Sequence, residues 1–158
     1  MSVRVGQGID IHRFSEDPHR PLVLGGVMIE GARGLAGHSD ADAVCHALAD
    51  AILGAVGLGD LGRHFPDTDP KWEGANSVAL LTEVVRLAAA QGFACANADC
   101  TIIADTPRLA PHTDAMVEHL AGVVGAPVSV KATRAEGIGA LGRAEGIACM
   151  AIVLMEHA

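Results

Sequence analysis

The sequence predicts an α/β (α+β) sandwich, a mixed sheet of about four main strands with helices packed on one face. Segments that resemble strands alternate along the chain with segments of helical periodicity. Half of the 158 residues are hydrophobic and only 3% are aromatic, so we expect a core of Ala, Val, Leu and Ile. Because the chain contains no repeat, low-complexity tract or linker, residues 1–158 are expected to form a single domain.

The first two elements are predicted to be extended. Residues 3–12 alternate apolar residues with small or polar ones, and this alternation predicts a strand. Residues 21–30 hold two short apolar runs around Gly25 and Gly26, so they predict a strand or a hairpin.

A helix is predicted to begin at Ser39. Ser39 and Asp42 resemble a capping box with a shorter acid. Apolar residues then recur at helical spacing: Val44, Leu48, Ile52 and Ala55. Gly57 and Gly59 are expected to end this helix, and residues 60–74, rich in Gly, Pro and Asp, are expected to form a loop.

Helices and strands alternate in the second half of the chain. A helix is predicted to start after Asn76 or Ser77 and to stop near Gly92. Its inward residues are expected to be Leu80, Val84 and Leu87.

The last elements are predicted to be mainly strands. Residues 99–104 and 128–133 are typical of strands, and residues 111–122 between them predict a helix. Residues 147–155 are almost wholly apolar, as a strand buried on both faces would be.

The charge balance excludes one class of partner. Lys and Arg number 11 and Asp and Glu number 19, so the net charge is −8. A nucleic-acid-binding protein needs basic surface to neutralise phosphates, so no nucleic-acid partner is expected. The same acidity implies that any bound phosphate group would be held through cations.

Cysteine usage and hydropathy indicate a cytoplasmic protein. Four cysteines lie amid apolar neighbours without a Cys-x-x-Cys pair: Cys45, Cys95, Cys100 and Cys149. This pattern predicts buried free thiols in a reducing compartment. No charged segment followed by an apolar one opens the chain, and no run of about 18 apolar residues occurs, so neither secretion nor a membrane span is expected.

Two segments carry potential metal ligands. Asp10 and His12 lie two apart on the first predicted strand, so both side chains project from one face and offer an oxygen and a nitrogen to a zinc-type ion. Asp42, His46 and Asp50 form a polar stripe at i, i+4 and i+8 on the first helix. This stripe could be a solvated face with an incidental histidine. Alternatively, His46 completes a three-ligand site with an open position toward substrate.

Two further segments could contact a phosphorylated polyol. Residues 59–62 and 65–70 form an acidic loop whose carboxylates could bind sugar or polyol hydroxyls, although a solvated turn would have the same composition. Near the C-terminus, Thr133 and Arg134 suit phosphate oxygens, and Glu136 could hold a hard divalent cation between them. A surface connection between strands is the alternative here.

The motifs acquire specificity from their order and spacing. They are Gly8-Ile9-Asp10-Ile11-His12, then Gly37-His38-Ser39-Asp40-Ala41-Asp42 with His46-Ala47, then Leu58-Gly59-Asp60-Leu61-Gly62 with Phe65-Pro66-Asp67-Thr68-Asp69-Pro70, and finally Gly142-Arg143-Ala144-Glu145-Gly146-Ile147-Ala148. Together they resemble the 2-C-methyl-D-erythritol 2,4-cyclodiphosphate synthase family, over essentially the whole chain from Arg4 to Leu154.

This resemblance implies a reaction of the non-mevalonate isoprenoid pathway. The family converts 4-diphosphocytidyl-2-C-methyl-D-erythritol 2-phosphate into the cyclic 2,4-diphosphate and releases CMP. The 2-phosphate oxygen attacks the β-phosphorus, so two like-charged phosphates must meet, and catalysis depends on positioning and charge neutralisation. The resemblance also implies a homotrimer with active sites at the subunit interfaces.

The resemblance further implies the ligand and catalytic sets. Asp10, His12 and His46 would hold zinc, which polarises the β-phosphate, and Glu136 would hold a magnesium or manganese ion bridging the α- and β-phosphates. Catalytic roles are implied for three residues: His38, Thr133 and Glu136. Substrate contacts are implied for a larger set: Asp10, His12, His38, Ser39, Asp60, Gly62, Phe65, Asp67, Ala104, Pro107, Arg108, Leu109, Ala110, Thr133, Arg134 and Arg143.

Parts of this set would serve different parts of the substrate. By the same resemblance, His38 and Ser39 contact the methylerythritol phosphate end and Asp67 its hydroxyls. Asp60 and Gly62 would hold the ribose. The segment at residues 104–110 would read the cytosine largely through backbone groups, and the Thr133 hydroxyl would contact a phosphate.

The chain departs from the family pattern at a few positions. Arg134 and Ala135 replace a run usually rich in Thr, Lys or Asn, so one hydroxyl is lost and a cation is gained. Arg108 stands where Lys is common, which keeps the charge but not the geometry. Ala140 stands where an aromatic residue often lines the central cavity of the trimer.

Two rival functions make different predictions. A metal-dependent phosphohydrolase would use an open zinc site to activate water and would release inorganic phosphate. A non-catalytic trimeric nucleotide- or metal-binding module would bind CDP without turnover.

Overall fold

The computed structural model describes residues 2–158 and places a four-stranded mixed sheet at the centre of the fold. The spatial order is β1 (Val3–Arg13), β6 (Gly146–His157), β4 (Phe93–Ile103) and β5 (Val128–Thr133). β6 pairs antiparallel with β1 and with β4, whereas β4 and β5 run parallel. The predicted mixed α/β fold with about four main strands is therefore confirmed.

The three long helices pack on one face of this sheet. α1 (Ala43–Val56) crosses β1 and β6, α3 (Ser77–Ala90) packs on α1, α4 and β4, and α4 (Thr113–Val124) packs on β5. The predicted inward residues of α1 are all buried, as are Leu80 and Val84 of α3. Leu87 is only half-buried, so its predicted inward position is wrong in part.

The other face of the sheet is exposed in the single chain, and its surface on β1 and β6 is largely apolar. Met150 and Ile152 of β6 are 42% and 52% exposed, and Val5 and Ile11 of β1 are 68% and 64% exposed. Residues 147–155 therefore do not form a strand buried on both faces, because the helices cover only one of them. No helix within residues 2–158 is long and apolar enough to cross a membrane.

Asp42, rather than Ser39, caps α1. The Asp42 carboxylate is fully buried and accepts the N–H groups of Val44 and Cys45, at 3.1 and 3.0 Å. It also accepts the N–H groups of Gly25 and Gly26, at 2.8 and 2.7 Å. The expectation that Ser39 starts the helix is corrected, because one carboxylate satisfies four N–H groups that would otherwise be buried without a partner.

The same contact supports the predicted hairpin. β2 (Leu22–Leu24) and β3 (Val27–Ile29) pair antiparallel, and the two residues between them, Gly25 and Gly26, have φ angles of 58° and 74°. Such left-handed angles are inexpensive only for glycine and give the turn whose twist matches a tight hairpin. At the other end of α1, Gly57 terminates the helix as predicted, with a φ angle of 75°.

Several predicted boundaries shift because loops carry short helices. Residues 60–74 are not wholly a loop: they contain α2 (Leu61–His64) and a 3₁₀ helix (Pro70–Trp72), which Asp60 and Asp69 cap. The helix predicted at residues 111–122 is α4, which a 3₁₀ turn (Ala110–His112) precedes. β4 begins at Phe93, well before the predicted residue 99. A one-turn helix, α5 (Gly139–Gly142), was not predicted.

The four cysteines are free thiols, as predicted. Cys45, Cys100 and Cys149 are buried, whereas Cys95 is only partly buried. Burial raises the pKa of Cys45 and raises that of Cys95 to about 11, so both thiols stay protonated and behave as small apolar side chains.

Candidate active site

Three potential ligands from β1 and α1 converge between sheet and helix. Asp10 and His12 project from the helix-facing side of β1, and His46 lies on the first half of α1. Asp10 Oδ2 lies 2.8 Å from His12 Nε2 and 3.2 Å from His46 Nδ1, and the two nitrogens are 3.3 Å apart. The structure thus brings together the three residues that the sequence predicted as metal ligands.

The spacing of these atoms fits a divalent metal ion. Ligand atoms about 2.0–2.1 Å from one tetrahedral ion lie roughly 3.3 Å from one another. Two of the three separations, 3.2 and 3.3 Å, match that edge, and the third is 2.8 Å. One carboxylate and two imidazoles are a common donor set for zinc-type ions, and three protein ligands leave a position open.

The ring of His12 is oriented by the backbone. Its Nδ1 lies 2.8 Å from the carbonyl oxygen of Ala36. A carbonyl only accepts, so Nδ1 carries the proton and donates it, and Nε2 faces Asp10 and His46. Metal-binding histidines are commonly held in this way through their second ring nitrogen.

The electrostatics of the site favour a positive charge between its side chains. Burial alone would raise the pKa of Asp10. When the His12 and His46 rings are doubly protonated, however, they donate to its carboxylate, and their hydrogen bonds and charge hold that pKa well below its usual range. Burial alone would lower the pKa of His12, but the hydrogen bond and charge of Asp10 raise it. A bound cation can satisfy the same preference for positive charge.

A pocket of about 250 Å³ opens beside these ligands. Its lining includes His12 and His46 together with four predicted substrate contacts: His38, Ser39, Phe65 and Asp67. His38 Nε2 lies 3.2 Å from the carbonyl oxygen of Asp69, so the acidic segment is tied to the motif that contains His38. The structure therefore joins these predicted residues in one site.

Sequence reasoning missed Trp72, which also lines this pocket. The ring of Trp72 meets that of Phe65 edge to face at 4.9 Å, and the Lys71 ammonium lies 4.5 Å from its ring centroid. It is the only tryptophan of the chain, and it lies two residues after the acidic motif at residues 65–70. Its position close to this motif was the feature of the sequence that could have pointed to Trp72 as a pocket residue.

A second residue missed by the sequence is Arg20. Its guanidinium donates to the carbonyl oxygens of Leu35, Gly37 and Ser39, with the Gly37 contact at 3.1 Å. Arginine forms several directed hydrogen bonds from one planar group, so a single side chain can hold a whole segment. Arg20 therefore fixes the path of the segment that contains His38 and Ser39.

The predicted cytosine-binding segment lines a different pocket, of about 600 Å³. Its lining residues include seven of the predicted substrate contacts: Ala104, Pro107, Arg108, Leu109, Ala110, Thr133 and Arg134. Asp105 accepts the N–H of Ala135 at 3.0 Å, and the N–H of Ala104 donates to the Thr133 carbonyl at 3.0 Å. The two pockets share no lining residue in this chain.

The remaining predicted contacts line neither pocket. Asp60 accepts the N–H of Arg63 at 2.9 Å and caps α2, which also contains Gly62. Arg143 pairs with Glu145 at 2.7 Å on the surface. Glu136 is exposed in a turn, with a φ angle of 53°.

The acidic neighbours of His46 on α1 are not ligands in this arrangement. Asp42 caps the helix and holds the hairpin turn, as described above. Asp50 accepts the N–H of Leu61 at 2.6 Å, and burial raises its pKa. The predicted polar stripe is therefore three residues with different partners rather than one solvated face.

Known proteins resemble this chain over almost its whole length. A model of the YgbB family matches residues 3–156. The chain belongs to the YgbB family. The family resemblance inferred from the sequence motifs is confirmed by relatives such as the 2-C-methyl-D-erythritol 2,4-cyclodiphosphate synthase of Laribacter hongkongensis. That protein is 54% identical, over 99% of this chain and 97% of its own length.

Solved structures of the family share the fold. The bifunctional IspDF from Campylobacter jejuni superposes with a TM-score of 0.94 at 40% identity, and 99% of this chain matches 43% of that longer protein. A structure of 2C-methyl-D-erythritol-2,4-cyclodiphosphate synthase in its CDP-bound form superposes with a TM-score of 0.87 at 39% identity, with 97% of this chain and 100% of the other covered.

Proposed function

We propose that this chain is a 2-C-methyl-D-erythritol 2,4-cyclodiphosphate synthase and that residues 1–158 form its single catalytic domain. In the reaction, the 2-phosphate oxygen of 4-diphosphocytidyl-2-C-methyl-D-erythritol 2-phosphate forms a bond to the β-phosphorus. The bond from the β-phosphorus to the oxygen that it shares with the α-phosphate breaks, and CMP leaves. The observation that carries the proposal is the group Asp10, His12 and His46 beside the pocket of His38 and Ser39, in a member of this family.

Charge is the main obstacle to this reaction. The attacking and accepting phosphates are both anionic and therefore repel each other. The protein has a net charge of −8, so its overall charge does not neutralise them. Zinc at Asp10, His12 and His46, and magnesium or manganese held by Glu136, would supply the positive charge and polarise the β-phosphate. The side chains of the chain then position and desolvate the two phosphates.

The pocket residues would bind different parts of the substrate. His38 and Ser39 would bind the phosphate end of the methylerythritol, Asp67 would accept its hydroxyl protons in hydrogen bonds, and the Phe65 ring would cover its apolar face. The His38 imidazole and the Thr133 hydroxyl would donate to phosphate oxygens as charge builds on them in the transition state.

The nucleotide end would be bound by the second group of residues. The segment at residues 104–110 would hold the cytosine, and Asp60 with Gly62 would hold the ribose. Arg134 and Arg143 would offer guanidinium groups to phosphate oxygens. The exposure of Arg134 and Arg143, at 68% and 63%, leaves both available for this role.

We further propose that the chain assembles as a homotrimer, with each active site shared by two subunits. The two pockets of one chain share no lining residue, although one substrate would have to occupy both. The outer face of the sheet also exposes large apolar side chains on the paired strands β1 and β6: Val5, Ile11, Met150 and Ile152. Burial of that face between subunits would bring pockets of neighbouring chains together.

Phosphorus NMR tests the reaction directly. Purified protein with the cytidyl diphosphate substrate and magnesium is expected to give CMP and two mutually coupled resonances of the cyclic diphosphate. Release of inorganic phosphate would instead indicate a phosphohydrolase. An unchanged spectrum from zinc-loaded protein would indicate a binding module without turnover.

Glu136→Gln is expected to impair the magnesium-dependent rate while zinc stays bound. The substitution removes a charged oxygen ligand for a hard cation but leaves Asp10, His12 and His46 intact. Turnover at a fixed magnesium concentration should fall about 100-fold, which corresponds to roughly 3 kcal/mol in the barrier. Rates measured across a magnesium titration, with zinc content determined in parallel, check this result.

The matched control for this variant is Glu118→Gln, which changes an exposed glutamate on α4. It should leave both the rate and its magnesium dependence at wild-type values. A Glu136→Gln protein with an unchanged magnesium dependence would refute the proposed role of Glu136.

A further inference from the structure

The ring of His46 is contacted on both of its nitrogens. Nδ1 faces the other candidate ligands, as described above. Nε2 points the opposite way, toward the start of α3, and lies 2.8 Å from Ser77 Oγ and 3.2 Å from Ser39 Oγ. Which nitrogen carries the proton decides which one can offer a lone pair to a metal ion.

The hydroxyl of Ser77 donates its proton to the carboxylate of Asp40. Ser77 is the first residue of α3, its side chain is fully buried, and the accepting atom is Asp40 Oδ1. The N–H of Ser77 donates to the other Asp40 oxygen at 3.1 Å. An ionised carboxylate has no proton to give, so the contact from Ser77 to Asp40 can run only one way.

Asp40 is itself held in place by the backbone. Its N–H donates to the carbonyl oxygen of Ala75 at 3.0 Å, and its Oδ1 accepts the N–H of Asp42 at 3.2 Å. Asp40 thus spans the start of α1 and the start of α3. The position of Asp40 between the starts of the two helices therefore fixes the direction of its hydrogen bond with Ser77.

We propose that Ser77, held by Asp40, is a positioning residue that fixes His46 in its Nε2–H tautomer. The only proton of the Ser77 hydroxyl is committed to Asp40, so the 2.8 Å contact between Ser77 Oγ and His46 Nε2 is a hydrogen bond only if Nε2 carries the proton. Ser39 Oγ, at 3.2 Å, is the longer of the two contacts to Nε2. The lone pair of His46 Nδ1 is then aimed at the space between Asp10 and His12. This inference rests on the metal-ligand role proposed above for His46, and it adds the residues that orient that ligand.

The arrangement mirrors that of His12, with the ring nitrogens exchanged. A backbone carbonyl holds His12 through Nδ1, and a relayed carboxylate holds His46 through Nε2. Both imidazoles therefore present a lone pair to the same point without having to select a tautomer when a metal binds. Loss of such a supporting contact typically weakens metal affinity by about 10–100-fold.

The first test measures zinc affinity by competition with a chelator in the full-length protein. Ser77→Ala is expected to bind zinc about 10–100-fold more weakly than wild type. Thr82→Ala is the matched control, because it removes a hydroxyl that donates to the Val78 carbonyl of the same helix, on its exposed side. An equal loss of zinc affinity in both variants would assign the effect to helix stability and overturn the proposal.

The second test observes the proton itself in the zinc-loaded protein labelled with ¹⁵N-histidine. Wild type is expected to show a slowly exchanging His46 Nε2–H resonance, shifted downfield by its hydrogen bond. In Ser77→Ala that proton should move upfield and exchange faster, while in Thr82→Ala it should not change. If Ser77→Ala does not fold, the spectrum of the wild type still tests the proposal. Absence of a protected His46 Nε2–H in the wild type would overturn it.

The outcomes separate this inference from the proposed function. Retention of zinc at wild-type affinity by a variant that lacks the His46 imidazole would refute the proposed role of His46 as a metal ligand. Wild-type zinc affinity in Ser77→Ala, with the Nε2–H resonance unchanged, would refute only the role of Ser77.

Discussion

Replacement of His46 with Ala is expected to abolish measurable turnover, with a loss of about 10³-fold or more. His46 supplies one of the three converging ligand atoms, and Asp10 and His12 alone form an incomplete site. Loss of the ion removes its stabilisation of charge on the transferring phosphate, an effect of several kcal/mol, and a 10³-fold change corresponds to roughly 4 kcal/mol. Zinc content of the purified protein and steady-state release of CMP would be measured together.

The control must separate loss of the metal from loss of the fold. His46 is 8% exposed, so the Ala variant also removes a packed ring, and its thermal unfolding should be compared with that of wild type. His19→Ala changes an exposed histidine of a surface loop and should leave zinc content and rate unchanged. Wild-type metal content and rate in His46→Ala would show that His46 is not a ligand.

Gly8→Ala is expected to be the most destabilising small substitution near the site. An added Cβ at Gly8 would lie 1.9 Å from the carbonyl oxygen of Ala47 and 2.7 Å from the backbone nitrogen of Ala51. Both neighbours are backbone atoms of α1, so the conflict is relieved only if the helix moves away from β1. Overpacking of this kind costs about 3 kcal/mol or more of unfolding free energy. Urea unfolding at matched protein concentration measures the loss.

This variant should also weaken zinc binding, although Gly8 touches no ligand. β1 carries Asp10 and His12 and α1 carries His46, so a displaced helix separates the ligand atoms. Gly122→Ala is the matched control: the same atom is added on an exposed turn of α4 with nothing within 4 Å, and stability should rise by about 0.5–1 kcal/mol. Equal stability of Gly8→Ala and wild type would mean that α1 does not approach β1 this closely.

Much of the fold could be predicted from local patterns. The alternation in residues 3–12, the helical spacing from Val44 to Ala55 and the run at residues 128–133 each predict an element that the structure contains. These patterns are visible in the sequence because side-chain periodicity is set by the geometry of a single strand or helix. The pairing of Asp10 with His12 follows from the same rule, since residues two apart on a strand share a face.

The sequence also determined which chemistry to expect, through motifs whose order and spacing resemble one family. That resemblance selected His46 from the alternatives that residue patterns alone left open. It did not reveal how the site is supported. Trp72 beside Phe65, Arg20 on the segment of Ser39, and Ser77 behind His46 carry no local signature of their roles.

Only the tertiary structure decided these supporting contacts. Ser77 and His46 are 31 positions apart, and Arg20 and Ser39 are 19 apart, so no short-range spacing specifies them. The cap of α1 moved from Ser39 to Asp42 for the same reason, because Asp42 also holds the hairpin turn at Gly25 and Gly26. The apolar run of β6 predicted burial on both faces, since composition records how apolar a strand is but not what covers it. Which surfaces meet depends on the packing of whole elements, and that packing is a property of the assembled chain.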